Sequence, residues 1–396
     1  MRDPSNWIAY VGPFRFPWGQ AGSRRVLGVA QSIAHSGRNV VVVSGELGHG
    51  RAERTQTFGN GASIDHVGVG ELPMPSAGRA EKARLYACWG LRTVSWLARQ
   101  ATLPTHVIVY GGASQYAGRL RSWCRWSRVP LIADVVEWYD PRQLAGGRFG
   151  PSYLSSEVAL RYHYPRCDGI IAISSFLSDH YRRRRRAVVT VPPTLDVESI
   201  DLGGRPVGTE NHLSLVYCGT PGVKDRLGEI VRGVQKADPD RSRLSLLVAG
   251  PSPAEVLGLI GRGALPSNVT VLGRISQPDV GKLIQSADFS LLLRQPARFT
   301  QAGFPTKYVE SMANGTPVIF NVTSDLPAHS ADGEDSLLCE GATSGALCGA
   351  LRRALSLSAA ELVVMRNMAR RRAVRSFHYS VYSAQLEHFL SRVEVQ

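Results

Sequence analysis

The residues with the clearest chemical potential lie in the stretch 303–319, which reads GFPTKYVESMANGTPVI. A turn and then a helix from about Thr306 to Asn314 are predicted, because Gly and Pro open the stretch and Asn-Gly closes the helix before an apolar run. Lys307 in the first helical turn could meet the phosphates of a ligand, and the Glu310 carboxylate could accept hydrogen bonds from the hydroxyls of its ribose. The stretch therefore predicts nucleotide binding.

A second group of polar and aromatic side chains follows a predicted strand that ends near residue 135. The carboxylates of Asp134, Glu137 and Asp140 stand there together with Trp138 and Tyr139. Aromatic faces pack on pyranose rings and carboxylates accept hydroxyl hydrogen bonds, so the segment predicts a sugar site. Alternatively, Asp140 only caps the helix that follows.

A glycine-rich loop, residues 12–25, follows the first predicted strand. Gly19 and Gly22 would let the backbone approach a ligand closely, and the next helix would present its N-terminus to the same place. The loop is not the dinucleotide-binding fingerprint, because GxGxxG with an acidic residue at the end of the second strand is absent. A plain glycine-rich turn is the alternative.

These residues must be positioned by repeated βαβ units, since short β-branched runs alternate with amphipathic stretches along nearly the whole chain. Strands are predicted at 7–11, 39–44, 64–69, 106–110, 130–135, 169–174 and 188–191, and then at 213–218, 244–249, 269–272, 289–293 and 317–322. The segment 196–211, rich in Gly, Asp, Glu and Pro, is the predicted domain boundary. The amphipathic segment 383–395 needs an apolar surface to cover and could cross back to the first domain.

Composition narrows the class of protein further. The chain has 396 residues, enough for two domains, and a formal net charge of +14, which favours anionic partners. Its arginine runs at 182–186 and 370–372 are not interleaved with aromatic residues, so nucleic acid is not the expected partner. No apolar run is long enough to span a bilayer. The six cysteines lack the spacing of a zinc site or a disulfide framework, and no metal site is expected.

The stretch 303–319 resembles the donor-binding segment of the retaining glycosyltransferases with the GT-B fold, in the large family four group. Further features agree in chain order: the loop at 19–25, the ISSF step at 173–176, the VPP segment at 191–193 and YCGTPGVK at 217–224. The resemblance covers nearly the whole chain. It implies an α/β protein of GT-B fold, in which two Rossmann-like parallel-sheet domains face each other across a cleft.

The resemblance also implies roles for individual residues. The donor would be a nucleoside-diphosphate sugar, bound without a cofactor or an obligatory metal. Glu310 would contact the ribose, and Lys224 would neutralise the diphosphate leaving group together with Arg294 or Lys307. The implied catalytic residues are Lys224, Arg294 and Glu137. The implied donor-binding residues are Gly219, Thr220, Lys224, Arg294, Gly303, Phe304, Pro305, Thr306, Lys307 and Glu310. The implied acceptor-binding residues are Gly19, Gly22, Glu137, Trp138 and Asp140.

The implied domains are an acceptor-binding domain at 1–200, a nucleotide-sugar-binding domain at 201–380 and a C-terminal helix at 381–396 that returns to the first domain. The sequence departs from the family pattern at three places. Ala302 stands where the family commonly has a second glutamate, eight residues before Glu310. Thr220 lies where an arginine is frequent after the first strand of the second domain. Glu137 and Trp138 replace a histidine of the acceptor-side loop.

The expected reaction is therefore the retaining transfer of a sugar from a UDP or GDP sugar to a hydroxyl acceptor, in polysaccharide, glycolipid or glycoconjugate biosynthesis. The acceptor would be a sugar, a lipid-linked compound or another small molecule. A cytoplasmic protein in peripheral contact with an anionic inner membrane face is expected from the basic surface. Three alternatives remain open: a GT-B binding protein that has lost catalysis, a GT-B sugar-nucleotide epimerase, and a nucleic-acid binder that uses the positive charge, with salt-sensitive affinity and no response to sugar nucleotides.

Overall fold

The computed structural model describes residues 6–17, 21–48, 50–74, 76–111, 113–184, 186–203, 212–261 and 263–395. The chain forms two compact units. Unit 1 comprises Met1–Leu195 together with Tyr379–Gln396, and unit 2 comprises Asp196–His378. The sequence predicts domain boundaries after residues 200 and 380, whereas the units change at Leu195 and His378.

Unit 1 is built on an eight-stranded sheet with the order β3-β4-β2-β1-β5-β6-β7-β8. Every neighbouring pair is parallel except β3 and β4. The strands are β1 Trp7–Gly12, β2 Asn39–Ser44, β3 Glu53–Thr57, β4 Ser63–Gly68, β5 His106–Tyr110, β6 Leu131–Val135, β7 Gly169–Ala172 and β8 Ala187–Thr190. The central strands are buried along their whole length and mostly apolar, as expected for a parallel sheet covered by helices on both faces.

The helices of unit 1 connect these strands, except for the last one, which follows unit 2 in the chain. They are α1 Ala21–His35, α2 Arg79–Cys88, α3 Leu91–Ala98, α4 Ser114–Ser127, α5 Pro151–Val158, α6 Ser175–Arg182 and α14 Ser383–Leu390. Short 3₁₀ turns lie at Pro141–Gln143, Gly147–Phe149, Tyr164–Arg166 and Tyr379–Tyr382, and a π-helical turn lies at Ala159–His163.

Unit 2 has a six-stranded parallel sheet with the order β11-β10-β9-β12-β13-β14. The strands are β9 Leu213–Cys218, β10 Leu244–Ala249, β11 Val269–Gly273, β12 Phe289–Leu292, β13 Val318–Asn321 and β14 Ser336–Cys339. The helices are α7 Leu227–Ala237, α8 Pro253–Ile260, α9 Gln277–Ser286, α10 Arg298–Ala302, α11 Thr306–Ala313, α12 Ser344–Leu355 and α13 Ala359–Phe377, with a 3₁₀ turn at Leu326–His329.

All twelve strands predicted from the sequence are present, and the structure adds β3 and β14. Strand β3 reads ERTQT, is largely exposed and runs antiparallel at the sheet edge, so no apolar alternation marks it. Strand β14 has only four residues, which is short for a recognisable pattern.

The C-terminal helix α14 packs into the core of unit 1. Leu386, Phe389, Leu390 and Val393 are buried there. At Gly169 in β7 a Cβ atom would lie 2.7 Å from the Phe389 ring, so the absence of a side chain lets this helix approach the sheet. Across the described residues, no helix combines the length and the apolar character needed to cross a membrane.

Candidate functional site

The strand order of unit 2 places a topological switch point at the carboxyl ends of β9 and β12. These two strands are neighbours, but the chain leaves β9 toward β10 on one side and leaves β12 toward β13 on the other. In open parallel sheets the connecting loops diverge at such a point and leave a crevice for a ligand. The candidate site lies there.

Four side chains at this edge form what we call the Asp225 cluster: Tyr217, Asp225, Arg294 and Lys307. Lys307 Nζ lies 2.5 Å from Asp225 Oδ2 and donates to the Tyr217 hydroxyl at 2.9 Å. The Tyr217 hydroxyl donates in turn to Asp225 Oδ2 at 2.8 Å. Arg294 Nε lies 3.4 Å from Asp225 Oδ1. One carboxylate thus holds two cations, which leaves a positive charge unbalanced within the cluster.

Electrostatics keeps the Asp225 carboxylate ionised. Burial raises the pKa of the Asp225 carboxyl, but the charges of Lys307 and Arg294 outweigh burial and hold that pKa below its ordinary value. Burial lowers the pKa of Lys307, and the charge of Asp225 opposes this shift. The Asp225 side chain is 6% exposed, whereas that of Lys307 is 21% exposed. A ligand therefore reaches the ammonium group more readily than the carboxylate.

Backbone hydrogen bonds join the loop that carries Asp225 to the segment after β12 that carries Arg294. The Arg226 N–H donates to the Leu293 carbonyl at 2.9 Å, and the Gln295 N–H donates to the Lys224 carbonyl at 3.1 Å. An isolated antiparallel bridge between Asp225 and Arg294 results.

The backbone of Arg294 is also clamped by the side chain of Asn321, at the end of β13. The Arg294 N–H donates to Asn321 Oδ1 at 2.8 Å, and Asn321 Nδ2 donates to the Arg294 carbonyl at 2.9 Å. Asn321 is buried and was not predicted as a site residue. The position of Arg294 is therefore fixed by neighbouring strands.

Gly219 makes room for Lys307 at the end of β9. Its φ is +122°, and a Cβ atom there would lie 2.5 Å from Lys307 Cε. Gly250, at the end of the neighbouring strand β10, has φ +121°, and its Cβ would lie 2.6 Å from the Gly219 carbonyl group. Both positions combine a positive φ with a close contact, to the Lys307 side chain at Gly219 and to backbone at Gly250, so both favour glycine.

The other predicted donor-binding residues lie around this cluster. Helix α11 begins at Thr306 and ends before Asn314, as the sequence predicts, and Lys307 and Glu310 are half-buried on it. Thr220 is exposed, and Lys224 is half-buried beside Asp225. Their roles stay predictions.

Three residues before α11 are buried, namely Gly303, Phe304 and Pro305. The Phe304 ring packs against Phe377 and His329, with ring centroids 5.9 Å and 5.6 Å apart. Its side chain thus belongs to the core of unit 2.

Asp225 is the main functional candidate that the sequence analysis missed. It directly follows Lys224 in the loop after the first strand of unit 2, and an acidic residue next to predicted phosphate-binding cations is the signal that could have found it. Its two cationic partners lie 69 and 82 residues further along the chain, which no local pattern reveals.

In unit 1 the predicted sugar site is wrong for Asp134. This carboxylate is fully buried, 2.8 Å from Arg25 Nη2, and it accepts from the Tyr10 hydroxyl at 2.5 Å. Arg25 also donates to the carbonyls of Val191 and Pro192 at 2.6 and 2.8 Å. Asp134 therefore ties the start of α1 to β6 and to the VPP segment, and no oxygen remains for a sugar.

Stacking of a sugar on Trp138 is also wrong. Trp138 is 5% exposed, and its Nε1 donates to Glu157 Oε1 at 2.8 Å. The guanidinium of Arg161 lies 5.3 Å from the ring centroid, and His180 meets the ring at 4.8 Å. These neighbours cover the Trp138 ring, so a pyranose has no exposed aromatic face on which to stack.

The structure shows the capping contact of Asp140, and its predicted acceptor contact stays a prediction. Its side chain caps the turn Pro141–Gln143 and pairs with Arg142 at 2.8 Å. Glu137, half-buried after β6, stays a predicted acceptor contact.

Of the two predicted acceptor-binding glycines in the first loop, the structure describes Gly22. At Gly22 a Cβ would lie 2.8 Å from the Tyr110 hydroxyl, so this glycine lets α1 approach β5. The predicted contact at Gly19 lies outside the described residues. Within the described ranges, no group of three or more His, Cys, Asp and Glu side chains could hold a metal ion.

Comparisons with known proteins bear on this geometry. Residues 214–356 match the family described as glycosyl transferases group 1. The fold resembles that of a sucrose-phosphate synthase from Thermosynechococcus elongatus, at 15% identity over 98% of both chains with a TM-score of 0.67. It also resembles Anabaena HepE in complex with UDP and glucose, at 15% identity over 97% of this chain and 99% of that chain with a TM-score of 0.62.

A third similar structure is an E. coli trehalose-6-phosphate protein bound with UDP-2-fluoro glucose. It is 12% identical over 98% of this chain and 99% of that chain, with a TM-score of 0.66. No curated protein sequence matches the chain. The two parallel-sheet units have the GT-B fold, and unit 2 carries the region that matches glycosyl transferases group 1.

Proposed function

We propose that the protein transfers a sugar from a nucleoside-diphosphate sugar to a hydroxyl acceptor, and that the Asp225 cluster binds the diphosphate. The observation that carries this proposal is the convergence of Arg294 and Lys307 on one buried carboxylate at the switch point of the unit 2 sheet. A diphosphate gathers negative charge as it leaves the sugar, and fixed cations that need no reorganisation stabilise that charge.

Lys307 retains the capacity to bind a phosphate oxygen while it is paired. An ammonium group has three N–H donors, and the contacts with Asp225 and Tyr217 use two of them. The third can donate to the ligand. Glu310 lies three residues further along α11 and therefore on the same side of the helix, where its carboxylate can accept the ribose hydroxyls.

Asp225 acts in this scheme as a positioning residue. It holds both cations at the strand ends before the donor arrives, so their conformational entropy is already lost when the diphosphate binds. Lys224, beside Asp225, is proposed as a further cation for the leaving group.

The finer features of the reaction are proposed as well. A UDP or GDP sugar is the proposed donor, and the UDP ligands of two similar structures support testing UDP first. Retention of the anomeric configuration, by attack assisted by the departing phosphate, rests on the resemblance of residues 303–319 to retaining enzymes. The proposed acceptor is a sugar or a lipid-linked compound in polysaccharide, glycolipid or glycoconjugate synthesis, with no metal or cofactor required and no nucleic acid as partner.

Cytoplasmic location with peripheral contact to an anionic membrane completes the proposal. The net charge of +14 supports this contact.

One observation favours a second candidate, a GT-B protein that binds sugar nucleotides without transferring the sugar. Ala302 is fully buried at the end of α10 and offers no carboxylate to the donor sugar. Turnover separates the candidates: a transferase consumes donor only with acceptor present, an epimerase consumes it without acceptor, and a binding protein does not consume it.

A thermal-shift titration with UDP, GDP, ADP and dTDP tests donor binding. We expect one of UDP and GDP to stabilise the protein by about 2.7 kcal/mol at a hundred times its Kd. Glu310→Ala should remove most of this shift, because the ribose loses its carboxylate partner. The matched control Glu334→Ala, an exposed glutamate of unit 2, should retain it.

Equal shifts in Glu310→Ala and Glu334→Ala would contradict the ribose contact. No shift with any nucleotide would contradict donor binding altogether.

The close approach at Gly219 gives a second prediction. Gly219→Ala should weaken nucleotide binding about tenfold, because the new Cβ displaces Lys307 and the residue is strained at positive φ. Isothermal titration calorimetry measures the change. Gly258→Ala, at a position on α8 where a Cβ would meet nothing within 4 Å, is the control and should bind normally. An unchanged Kd in Gly219→Ala would place the diphosphate away from Lys307.

A further inference from the structure

A basic pocket of about 450 Å³ lies in unit 1, at the opposite edge of the sheet from the loops discussed above. It is bounded by α4 and by the residues that precede or begin β6, β7 and β8. Its charged and aromatic lining consists of Arg121, Arg125, Arg166, Arg186, Tyr162 and Asp168. Four guanidinium groups thus share the pocket with one carboxylate.

Two of these arginines are organised around the ring of Tyr162. The Arg166 guanidinium lies 3.8 Å from the ring centroid, and its Nη1 donates to the Tyr162 carbonyl at 2.8 Å. The Arg121 guanidinium lies 5.2 Å from the same centroid. Among the described residues, Nη1 of Arg121 is buried and has no hydrogen-bond partner. A buried N–H donor without a partner raises the free energy of the folded protein, and a ligand that supplies an acceptor removes this penalty.

The potential in the pocket is positive. A hydrogen bond from Arg121 and the charges of Arg166 and Arg121 lower the pKa of the Tyr162 phenol. Burial and the same two charges lower the pKa of neighbouring His163. The carboxylate of Asp168 accepts from the Leu131 N–H at 2.8 Å, which fastens it to the start of β6. This one carboxylate does not balance the charges of Arg121, Arg125 and Arg166, which line the same pocket.

We propose that this pocket binds the phosphate group of a phosphate ester. Guanidinium groups match phosphate oxygens in geometry and charge, and the volume suits a small phosphorylated molecule or a headgroup. Strand β6 separates the pocket from the loop that carries Glu137 by about 15 Å, the length of five residues, so the pocket is not part of the proposed acceptor site. The phosphate ester is either a free molecule or the headgroup of an anionic lipid.

The test uses the full chain and the double variant Arg125→Gln/Arg166→Gln, whose two side chains are exposed and whose loss leaves the core intact. Arg121→Gln is a second, independent variant. The control Arg84→Gln removes an exposed charge from α2, away from the pocket. Binding of inorganic phosphate is measured by calorimetry, and sedimentation is measured with phosphatidylcholine vesicles that contain or lack phosphatidic acid.

We expect the double variant to lose about tenfold or more in affinity for at least one probe, because each charge-assisted hydrogen bond contributes about that much. The control should bind as the wild type does, and nucleotide binding should be unchanged in all variants. Loss confined to inorganic phosphate identifies a free phosphate ester as the ligand, and loss confined to vesicles with phosphatidic acid identifies a lipid headgroup. Equal binding of both probes by the two pocket variants and the control overturns the proposal, as does the absence of binding by the wild type.

Discussion

Lys307→Met should lower kcat/KM for the sugar nucleotide by about a hundredfold or more, because the departing diphosphate loses its partly exposed cation. Methionine preserves the apolar stem that crosses Gly219 and removes only the charge. Asp225 then retains Arg294 at 3.4 Å as its charged partner. Steady-state kinetics with varied donor concentration measures the effect. The matched control is Lys282→Met, an exposed lysine on α9 of the same unit, which should be near wild type.

The same measurement on Lys224→Met separates the two lysines. If Lys224→Met is impaired and Lys307→Met is not, the leaving group is neutralised by the residue that the family resemblance implies, and Lys307 serves only to pair with Asp225. If both variants match Lys282→Met, the Asp225 cluster does not bind the diphosphate.

Arg25→Met should lower the free energy of unfolding of unit 1 by about 3–5 kcal/mol, because it leaves the charge of Asp134 buried without its partner. The Asp134 side chain is 0% exposed and that of Arg25 is 2% exposed. The control is Arg38→Met, which breaks the pair between Arg38 and Glu387, side chains 16% and 37% exposed. A pair that water reaches contributes about 1 kcal/mol or less.

Urea unfolding followed by tryptophan fluorescence measures this loss in unit 1 alone, since all seven tryptophans of the chain lie between residues 7 and 138. A loss in Arg25→Met no larger than that in Arg38→Met would show that Asp134 is neutralised or hydrated in the variant. The buried ion pair would then not be what fastens α1 to the sheet.

The sequence predicts those parts of the proposed donor site that depend on neighbouring residues in the chain. The helix from Thr306 follows from its flanking Gly, Pro and Asn-Gly residues, and Lys307 and Glu310 take their places from helical spacing. Asp225 could not be assigned in this way. Its role depends on partners supplied by the loop after β12 and by α11, and only the strand order brings those segments to one edge.

The prediction of a sugar site after β6 is wrong for Asp134 and Trp138 because their contacts come from distant parts of the chain. The residue types fit a sugar, but tertiary contacts decide what each side chain does. Asp134 pairs with Arg25. Trp138 donates to Glu157 and its ring contacts Arg161, and these partners come from other elements of unit 1. Strand β3 escapes prediction because hydrogen bonding to β4, rather than an apolar face, defines it.

The chain passes between the units at two neighbouring points. The Tyr379 N–H donates to the Leu195 carbonyl at 3.1 Å on the unit 1 side, and His378 Nε2 lies 3.5 Å from Asp196 Oδ1 on the unit 2 side. Unit 2 is therefore an insertion whose beginning and end coincide in space. A domain whose two ends lie close together can be replaced by a homologous domain without changing the path of the surrounding chain. The entropic cost of bringing the two ends together then changes little. Recombination at these two junctions would exchange the whole of unit 2 and leave the sheet of unit 1 unchanged in a single event.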